Sequence, residues 1–325
     1  MKQKVFYDYC KSWLSIHKSA LLRSSSYDVC ESTLQTHIYP ILGDLQIGVI
    51  DSNDLQNLID NKSDFLSLNT IKRILSVLKG VFYFAYLSED ISINPMDSVV
   101  LPLHKYPVIE DEDVDILTKD EQIKFYNSCF QRTSRKGKLR YRVGPALALL
   151  MTTGMRSGEL LSLTLDDIDI ANKEITINKT LTRIRNRNKT KDSNLAYLYN
   201  VNEPKTPSGN RIIPLNEWAL HAIDVLKNEI YIDNKLKLLF STKSGEYYKP
   251  RVLATSFDNI LASCNISHKN LHCLRHSFAS QMLRENSDIV ILSKILGHSN
   301  PLTTHNIYIH FLENDKENAV KLLEI

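Results

Sequence analysis

Three prolines, at positions 95, 102 and 107, interrupt the chain near residue 100. Proline has no backbone N–H and its ring clashes with the preceding helical turn, so no helix can run through this stretch. An acidic run from Glu110 to Asp115 follows directly. The 325 residues are enough for two folded cores. We therefore predict two domains, over residues 1–93 and 117–325, joined by a linker over residues 94–116.

The part before the linker has the apolar periodicity of amphipathic helices. Phe6, Tyr9 and Trp13 recur at three- and four-residue spacing, and a wider apolar stripe runs from Ile71 to Ala85. Four such stripes are enough to bury one another in a bundle. Residues 1–93 are therefore expected to form a small helical domain.

The part after the linker mixes two periodicities. Thr118 and Glu121 have the spacing of a capping box, which predicts a helix from about Lys119 to Phe130. The segments DIDIANKEITIN and NRIIPL alternate and contain β-branched residues, which is typical of strands. The fold class predicted for the chain is mainly α with a small antiparallel β-sheet.

Composition limits the function only weakly. The formal net charge is +3, so any argument for binding a polyanion must rest on where the charges lie. The five cysteines are scattered and form no C-x-x-C pair, which favours a reducing compartment over a disulfide framework. Without a signal peptide or an apolar run long enough to span a membrane, the sequence indicates a cytoplasmic protein.

The segment from Leu271 to His310 concentrates groups that handle phosphate. Helical spacing places His272 and Arg275 on one face, while Gly297 ends the next apolar helix at the position of a left-handed cap. His298 follows that glycine and Tyr308 lies one short helix later. A cation, imidazoles and a tyrosine nucleophile in one region are suited to attack on a phosphodiester.

A second segment, TTGMRSGELLSL, has matching chemistry. It places Arg156 at the start of a helix and Glu159 one turn later. Simpler interpretations exist for single residues, because histidines and tyrosines at helical spacing commonly pack in cores. A zinc site is an alternative interpretation, since five Cys and His residues cluster between positions 264 and 276. Their spacing matches no common zinc arrangement, and Arg275 would repel a dication. The cysteines and histidines concerned are Cys264, His268, His272, Cys273 and His276.

Together these segments resemble the tyrosine recombinases, the phage-type integrase family. Six separated positions match its catalytic boxes in order and spacing. They are Arg156 in TGMRSGELLSL, Lys205 in KTPSGNRIIPL, His272 and Arg275 in LHCLRHSFAS, His298 in LGHS and Tyr308 in TTHNIY. The resemblance covers nearly the whole chain and implies a helical core-binding domain followed by a mixed α/β catalytic domain. The resemblance does not include the arm-binding domain that many members carry before these two, and the sequence leaves open whether that domain is absent naturally or by truncation.

The resemblance implies a site-specific recombinase that cuts and rejoins DNA through a 3′-phosphotyrosine link. Arg156 and Arg275 would hold the non-bridging phosphate oxygens, and Tyr308 would attack. His272 is the candidate base, Lys205 the candidate acid for the leaving 5′-oxygen, and His298 an added hydrogen-bond donor. Glu159 is expected to orient Arg156, and His276, which matches no box, to be structural. No metal and no other cofactor is implied.

Two basic clusters lie before and after the segment that contains Arg156, and both are expected to contact the DNA backbone. The residues singled out are Arg140 and Arg142 in the first cluster and Arg183, Arg185, Arg187 and Lys189 in the second. The partner implied is a double-stranded recombination site, bound by a homotetramer that is monomeric when free. An accessory DNA-bending or directionality factor is a further candidate partner, and the DNA-bound protein would be associated with the nucleoid.

Two other functions remain open at the level of sequence. A type IB topoisomerase uses similar Arg, Lys, His and Tyr chemistry, but would relax DNA without a defined site. A DNA-binding protein that no longer cuts is the second, although all six positions are filled. The sequence also leaves open whether the helical tail after Tyr308 docks on its own subunit or on a neighbour.

Overall fold

The computed structural model describes residues 4–18, 24–106, 115–134, 137–187, 195–204 and 206–305. The chain divides into two compact units. One contains residues 1–110 and the segment 183–198, and the other contains residues 111–182 and 199–325. This division by contacts differs from a division along the sequence, because the segment 183–198 groups with the first unit. The predicted domain limits of 1–93, 94–116 and 117–325 stay a prediction.

The first unit is helical, as its apolar stripes predict. Its α-helices are α1 (Phe6–Ser12), α2 (Ser24–Thr33), α3 (Tyr39–Leu42), α4 (Ser52–Ser63) and α5 (Leu68–Leu87). Two wider π-helical segments extend the first two helices, at Trp13–Lys18 and Leu34–Ile38. Apolar side chains of these elements, among them Phe6 and Phe82, stack in a buried core.

The proline-rich stretch after α5 is packed rather than extended. Short 3₁₀ turns form at Pro95–Ser98 and Leu103–Lys105. Met96 is buried in the core of the first unit, and Nζ of Lys105 donates a hydrogen bond of 2.8 Å to the carbonyl of Asp60. Proline thus prevents a long helix here without preventing packing.

The second unit combines seven α-helices with short strands in the part of the chain that is described. The helices are α6 (Lys119–Cys129), α7 (Gly144–Thr153), α8 (Ser157–Ser162), α9 (Glu217–Val225), α10 (Pro250–Ser263), α11 (Cys273–Arg284) and α12 (Ile289–Leu296). A π-helical segment at Leu226–Ile230 extends α9, and residues 301–305 are helical. Every residue of α7 is buried, so this helix is the centre of the second core.

The strands confirm the sheet that the alternating segments predict. They are β1 (Ile168–Asp169), β2 (Glu174–Ile177), β3 (Thr180–Arg185), β4 (Tyr197–Asn202) and β5 (Arg211–Pro214). Strand β2 pairs antiparallel with both β1 and β5, and Ile175 lies opposite Ile213. Strands β3 and β4 form a separate two-stranded sheet. The fold class is therefore mainly α with small antiparallel sheets, as predicted.

The helix ends follow the local signals of the sequence. The Thr118 hydroxyl accepts a hydrogen bond from the Glu121 N–H, and the Glu121 carboxylate accepts one from the Thr118 N–H, which completes the predicted capping box. Gly297 ends α12 in the left-handed region at φ 72°. Among the described residues, no helix has the length and apolarity needed to cross a membrane.

Candidate active site

The site begins at the turn between α7 and α8. Gly154 ends α7 with φ 63°, a conformation that L-residues rarely adopt. A Cβ at this position would lie 2.4 Å from Cδ1 of Phe278, so packing as well as backbone conformation requires glycine. The turn leads directly into Arg156, the N-cap residue of α8.

Arg156 and Glu159 interact as the spacing of one helical turn predicts. The Glu159 carboxylate accepts a hydrogen bond of 2.8 Å from the Arg156 N–H and one of 3.0 Å from its guanidinium. The Arg156 side chain is 42% exposed, whereas that of Glu159 is 5% exposed. A buried carboxylate thus holds a guanidinium at the protein surface.

The same carboxylate binds a second arginine that sequence reasoning missed. Arg211, the first residue of β5, donates two hydrogen bonds of 3.0 and 2.8 Å to the two oxygens of Glu159. Its Nε donates to the carbonyl of Ile295 over 2.6 Å, and its side chain is 5% exposed. The sequence RIIP carries no clear signal for this, because its two adjacent isoleucines do not show which face of the strand is inward; in the structure Arg211 and Ile213 share the inner face.

Glu159 is therefore an ionised carboxylate in a buried place. Burial by itself would raise its pKa, but the adjoining guanidinium of Arg211, the N–H of Arg156 and the charge of Arg156 together hold the pKa below its ordinary value. The negative charge is available to both arginines at neutral pH.

Arg275 is buried on α11 with 3% of its surface exposed. It donates hydrogen bonds of 2.8 Å each to the carbonyls of Gly154 and Leu296. These carbonyls lie at the C-terminal ends of α7 and α12, where the helix dipole is negative and stabilises a cation. The two left-handed glycine caps therefore position the oxygen atoms that hold this guanidinium.

His298 lies immediately after the cap of α12 and is oriented by two contacts. The Arg275 guanidinium donates to its Nε2 over 2.9 Å. Since an arginine only donates, the ring hydrogen is on Nδ1, which donates over 2.8 Å to the hydroxyl of Thr304. Burial, and then the charges of Arg275 and Arg156, lower the pKa of His298 to about 4. The imidazole is neutral at pH 7.

His272 occupies the N-cap position of α11 and is exposed, so the helix begins slightly later than the sequence suggests. Burial of part of the ring, followed by the charges of Arg275 and Arg156, lowers its pKa from the usual 6.5. The ring of His276 meets the His272 ring edge-on, with 4.6 Å between centroids. His276 is half-buried and its pKa is lowered to about 4, by burial first and then by His272 and Arg275.

Two neighbouring cavities open among these groups. The larger has a volume of about 440 Å³, and Arg156, Glu159 and His298 line it together with Thr180 and Thr303. The other has a volume of about 330 Å³, and its lining includes Ser157, His272 and Arg275. Cationic and hydrogen-bonding groups at these positions are suited to an anion such as a phosphodiester.

Three predicted site residues, Lys189, Lys205 and Tyr308, lie outside the described residues. Of the remaining catalytic candidates, the structure brings together Arg156, Glu159, Arg275 and His298, with His272 beside Arg275. Within the described ranges no three His, Cys, Asp or Glu side chains are grouped so that they could hold a metal ion.

The first basic cluster lies away from the catalytic candidates. Arg142 precedes α7, at the opposite end from Gly154, about 15 Å away for ten residues of helix. Its guanidinium donates to the carbonyl of Ile230 over 2.9 Å and to the Tyr248 hydroxyl over 3.3 Å. Arg140 is exposed and hydrogen-bonds to Gln131. The contact of Arg140 and Arg142 with DNA is therefore still a proposal.

The second basic cluster is paired within the first unit. The guanidinium of Arg185 donates to Glu31 over 3.1 Å, and Arg187 binds both Asp28 and Glu31 on α2. Arg183 lies over the ring of Tyr197, 4.3 Å from its centroid. Sequence reasoning missed these acidic partners, because they lie about 150 residues upstream and far outside the reach of helical spacing.

Two parts of the chain match models of known protein families. Residues 116–315 match the model of the phage integrase family, and residues 5–63 match the phage integrase N-terminal SAM-like domain. The chain is 26% identical to the integrase of Staphylococcus phage L54a, over 99% of this chain and 93% of that protein. It is also 26% identical to the XerC-like tyrosine recombinase of Caldanaerobacter subterraneus subsp. tengcongensis, over 86% of this chain and 72% of the relative.

Solved structures show the same fold. The chain is similar to the Tn1549 transposon integrase in complex with transposon right end DNA, with a TM-score of 0.72 and 25% identity over 95% of this chain and 98% of that one. It is also similar to a lambda integrase dimer bound to a COC′ core site, with a TM-score of 0.64 and 15% identity over 94% and 77% of the two chains. The matched family model covers more than half of the sequence, so this chain belongs to the phage integrase family, the tyrosine recombinases.

Proposed function

We propose that this chain is a site-specific DNA recombinase of a mobile element, which cuts and rejoins DNA through a 3′-phosphotyrosine intermediate. The observation that carries the proposal is the meeting of three separate segments at one anion site. Arg156 and His298 line one cavity, and Arg275 hydrogen-bonds to His298. The family cleaves and rejoins DNA, and its relatives include a phage integrase and a transposon integrase.

The arginines supply charge where the reaction develops it. Attack on a phosphodiester places negative charge on the non-bridging oxygens, and preorganised donors stabilise it without reorganising. The exposed guanidinium of Arg156 is the group we assign to direct contact with these oxygens. Arg275, held by the carbonyls of Gly154 and Leu296, adds positive charge from a fixed position.

The proton transfers are assigned to His272 and Lys205. A tyrosine of pKa about 10 is ionised in roughly one molecule per thousand at pH 7, a gap of about 4 kcal/mol, so the Tyr308 nucleophile requires a base. His272 has a lowered pKa and is neutral at pH 7, so it can accept this proton. Lys205 is proposed to protonate the departing 5′-oxygen. The phosphotyrosine ester conserves the free energy of the cleaved phosphodiester. The 5′-hydroxyl of another strand can therefore attack it and rejoin the DNA.

Partners follow from this reaction. Double-stranded DNA containing a recombination site is the substrate, and two sites must be held together for exchange. We propose a homotetramer on DNA and a monomer when free, with an accessory DNA-bending or directionality factor where the direction of exchange is controlled. Such a protein acts in the cytoplasm and associates with the nucleoid while it is bound. Arg140, Arg142, Arg183, Arg185, Arg187 and Lys189 are the proposed backbone contacts.

An assay on paired sites tests the function. Duplexes that bind the chain are first selected from a random pool, and two copies of the selected duplex are placed in one plasmid. We expect deletion or inversion of the DNA between the copies, and none with Tyr308→Phe. Relaxed circles without recombinants would instead indicate a type IB topoisomerase-like enzyme. Binding without any strand cleavage would indicate a protein that no longer cuts.

A further inference from the structure

Arg211 joins three segments that belong to the candidate active site. Its two terminal nitrogens bind both oxygens of Glu159 over 3.0 and 2.8 Å. Its Nε donates to the carbonyl of Ile295 in the last turn of α12. One terminal nitrogen also reaches the carbonyl of Gly209 over 3.3 Å, in the loop that precedes β5.

Each contact leads to a residue of the proposed reaction. Glu159 accepts a hydrogen bond from the guanidinium of Arg156, and His298 follows the last turn of α12 and its glycine cap. A Cβ at Gly297 would lie 2.9 Å from Cδ of Arg211 and 2.9 Å from the carbonyl of Ser208, so the three segments approach without spare space. A displacement of the Arg211 side chain would therefore move both Arg156 and His298.

Stability alone does not explain a buried pair of this kind. Removing two charges from water costs free energy that their attraction only partly returns, and an apolar pair of equal volume often serves the fold as well. The planar guanidinium, in contrast, fixes a carboxylate in two directions at once. The geometry favours a role in orientation.

We propose that Arg211 is a positioning residue of the active site, which fixes Glu159 and with it Arg156 relative to the end of α12 that carries His298. The inference rests on the proposed function and assigns no contact between Arg211 and the DNA. Arg211 acts through Glu159 and through the backbone of α12. Its loss is expected to slow cleavage much more than it weakens DNA binding.

The protonation of Glu159 gives a readout that a merely structural residue would not change. Burial raises the pKa of this carboxyl, and Arg211 is the main group that opposes burial. In Arg211→Met the pKa of Glu159 therefore rises, and the carboxylate that holds Arg156 becomes protonated as the pH falls. This variant should therefore lose cleavage rate at a higher pH than wild type does, whereas the double variant Arg211→Met/Glu159→Gln should not show this shift, since glutamine does not titrate.

The experiment measures single-turnover formation of the covalent complex on the selected duplex, nicked at each position in turn. Wild type is compared with Arg211→Met, Arg211→Lys and Glu159→Gln, with thermal unfolding and DNA affinity measured for each. Glu229→Gln is the matched control, because Glu229 forms a two-bond pair with Arg132 that is exposed and outside the candidate site. Lysine retains the charge but not the fork, so Arg211→Lys should fold even if Arg211→Met does not.

We expect Arg211→Met and Arg211→Lys to slow cleavage by roughly 100-fold, the effect of a small misplacement of catalytic groups, with DNA affinity within about threefold of wild type. Glu229→Gln should cleave at the wild-type rate. Wild-type rates in folded Arg211 variants, or a loss explained entirely by weaker DNA binding, would overturn the positioning role alone. A wild-type chain that forms no covalent complex at any nick would overturn the proposed function and this inference with it.

Discussion

The Arg275 guanidinium donates a hydrogen bond of 2.9 Å to Nε2 of His298. It also binds the carbonyl of Leu296, two residues earlier, over 2.8 Å. One buried cation thus fixes both the end of α12 and the imidazole that follows it. The same contact sets the tautomer of His298, whose Nδ1 hydrogen points to Thr304.

Replacing Arg275 should separate folding from catalysis. Arg275→Ala leaves the buried carbonyls of Gly154 and Leu296 without this donor. We therefore expect the free energy of unfolding to fall by about 3 kcal/mol. Arg275→Lys keeps a charge but cannot reach all three acceptors. We expect it to fold and to cleave at least about 100-fold more slowly, as when a donor to a developing oxyanion is removed. Urea unfolding and covalent-complex formation measure the two effects, and an active Arg275→Ala would contradict this account.

The lowered pKa of His298 predicts a loss of stability in acid. Its pKa is about 4 in the folded chain against 6.5 for an ordinary histidine, so the folded state binds this proton less readily. Its contribution is fully present above pH 6.5 and is lost as the pH falls towards 4. The free energy of unfolding should therefore fall less steeply over this range in His298→Gln than in wild type. His276 has a similar pKa, so part of the slope should remain; equal slopes would contradict the prediction.

The lowered pKa of His272 predicts the pH dependence of cleavage. A base acts in its neutral form, which is the main form above its pKa. Because that pKa is lowered from 6.5, the decline of the cleavage rate in acid should be centred below pH 6.5. Single-turnover rates across this range provide the check, with DNA affinity measured at each pH. A decline centred above 6.5, at chain and DNA concentrations low enough that the rate reports the free chain, would contradict the assignment of His272 as the base.

Gly154 should tolerate no side chain. Gly154→Ala combines a left-handed backbone, which costs about 1–2 kcal/mol for an L-residue, with a Cβ 2.4 Å from Phe278. Gly137 is a matched control, because its φ is 60° and no atom of the described residues lies within 4 Å of the position that a Cβ would take. We expect Gly137→Ala to lose only the backbone contribution and Gly154→Ala to lose clearly more in urea unfolding. Equal losses would show that Phe278 can move aside at little cost.

The paired arginines of the second basic cluster predict a particular salt dependence of DNA binding. Asp28 and Glu31 neutralise Arg185 and Arg187, so DNA phosphates must compete with these carboxylates. We expect Asp28→Asn/Glu31→Gln to bind DNA more tightly at low salt and with a steeper salt dependence, by up to about 0.9 in the logarithmic slope for each phosphate gained. Neutralising Arg183, Arg185 and Arg187 should weaken binding to all sequences alike and flatten the slope.

A charge control accompanies this measurement. Glu217→Gln removes one exposed carboxylate, the partner of Lys173 in the second unit, and so changes the net charge without freeing Arg185 or Arg187. It should leave the salt slope near that of wild type. Unchanged affinity after neutralising the three arginines would show that the cluster serves the fold of the first unit and not DNA binding.

Local patterns predicted what depends on neighbours in sequence. Thr118 and Glu121 form their capping box, Gly297 forms its left-handed cap, and Glu159 binds Arg156 one turn away. These interactions span only a few residues, so their spacing is visible in the chain itself.

Distant pairs could not be predicted in this way. Arg211 meets Glu159 across 52 residues, and Arg185 meets Glu31 across 154. A charged residue carries no local sign of whether it will be buried against a partner or left in solvent. The burial alternation of β5 is visible only in the folded strand, and nothing in the basic segment indicates the acidic partners on α2.

The covalent intermediate tests the central claim most directly. The chain is incubated with the selected duplex carrying a nick beside the cleavage position, so that the released fragment diffuses away and rejoining is prevented. The trapped product is separated under denaturing conditions, digested with protease and sequenced by mass spectrometry. We predict a nucleotide joined through a 3′-phosphate to the peptide that contains Tyr308, and no such product from Tyr308→Phe or Arg156→Gln. A covalent link to any other residue, or the same yield from Tyr308→Phe, would contradict the account.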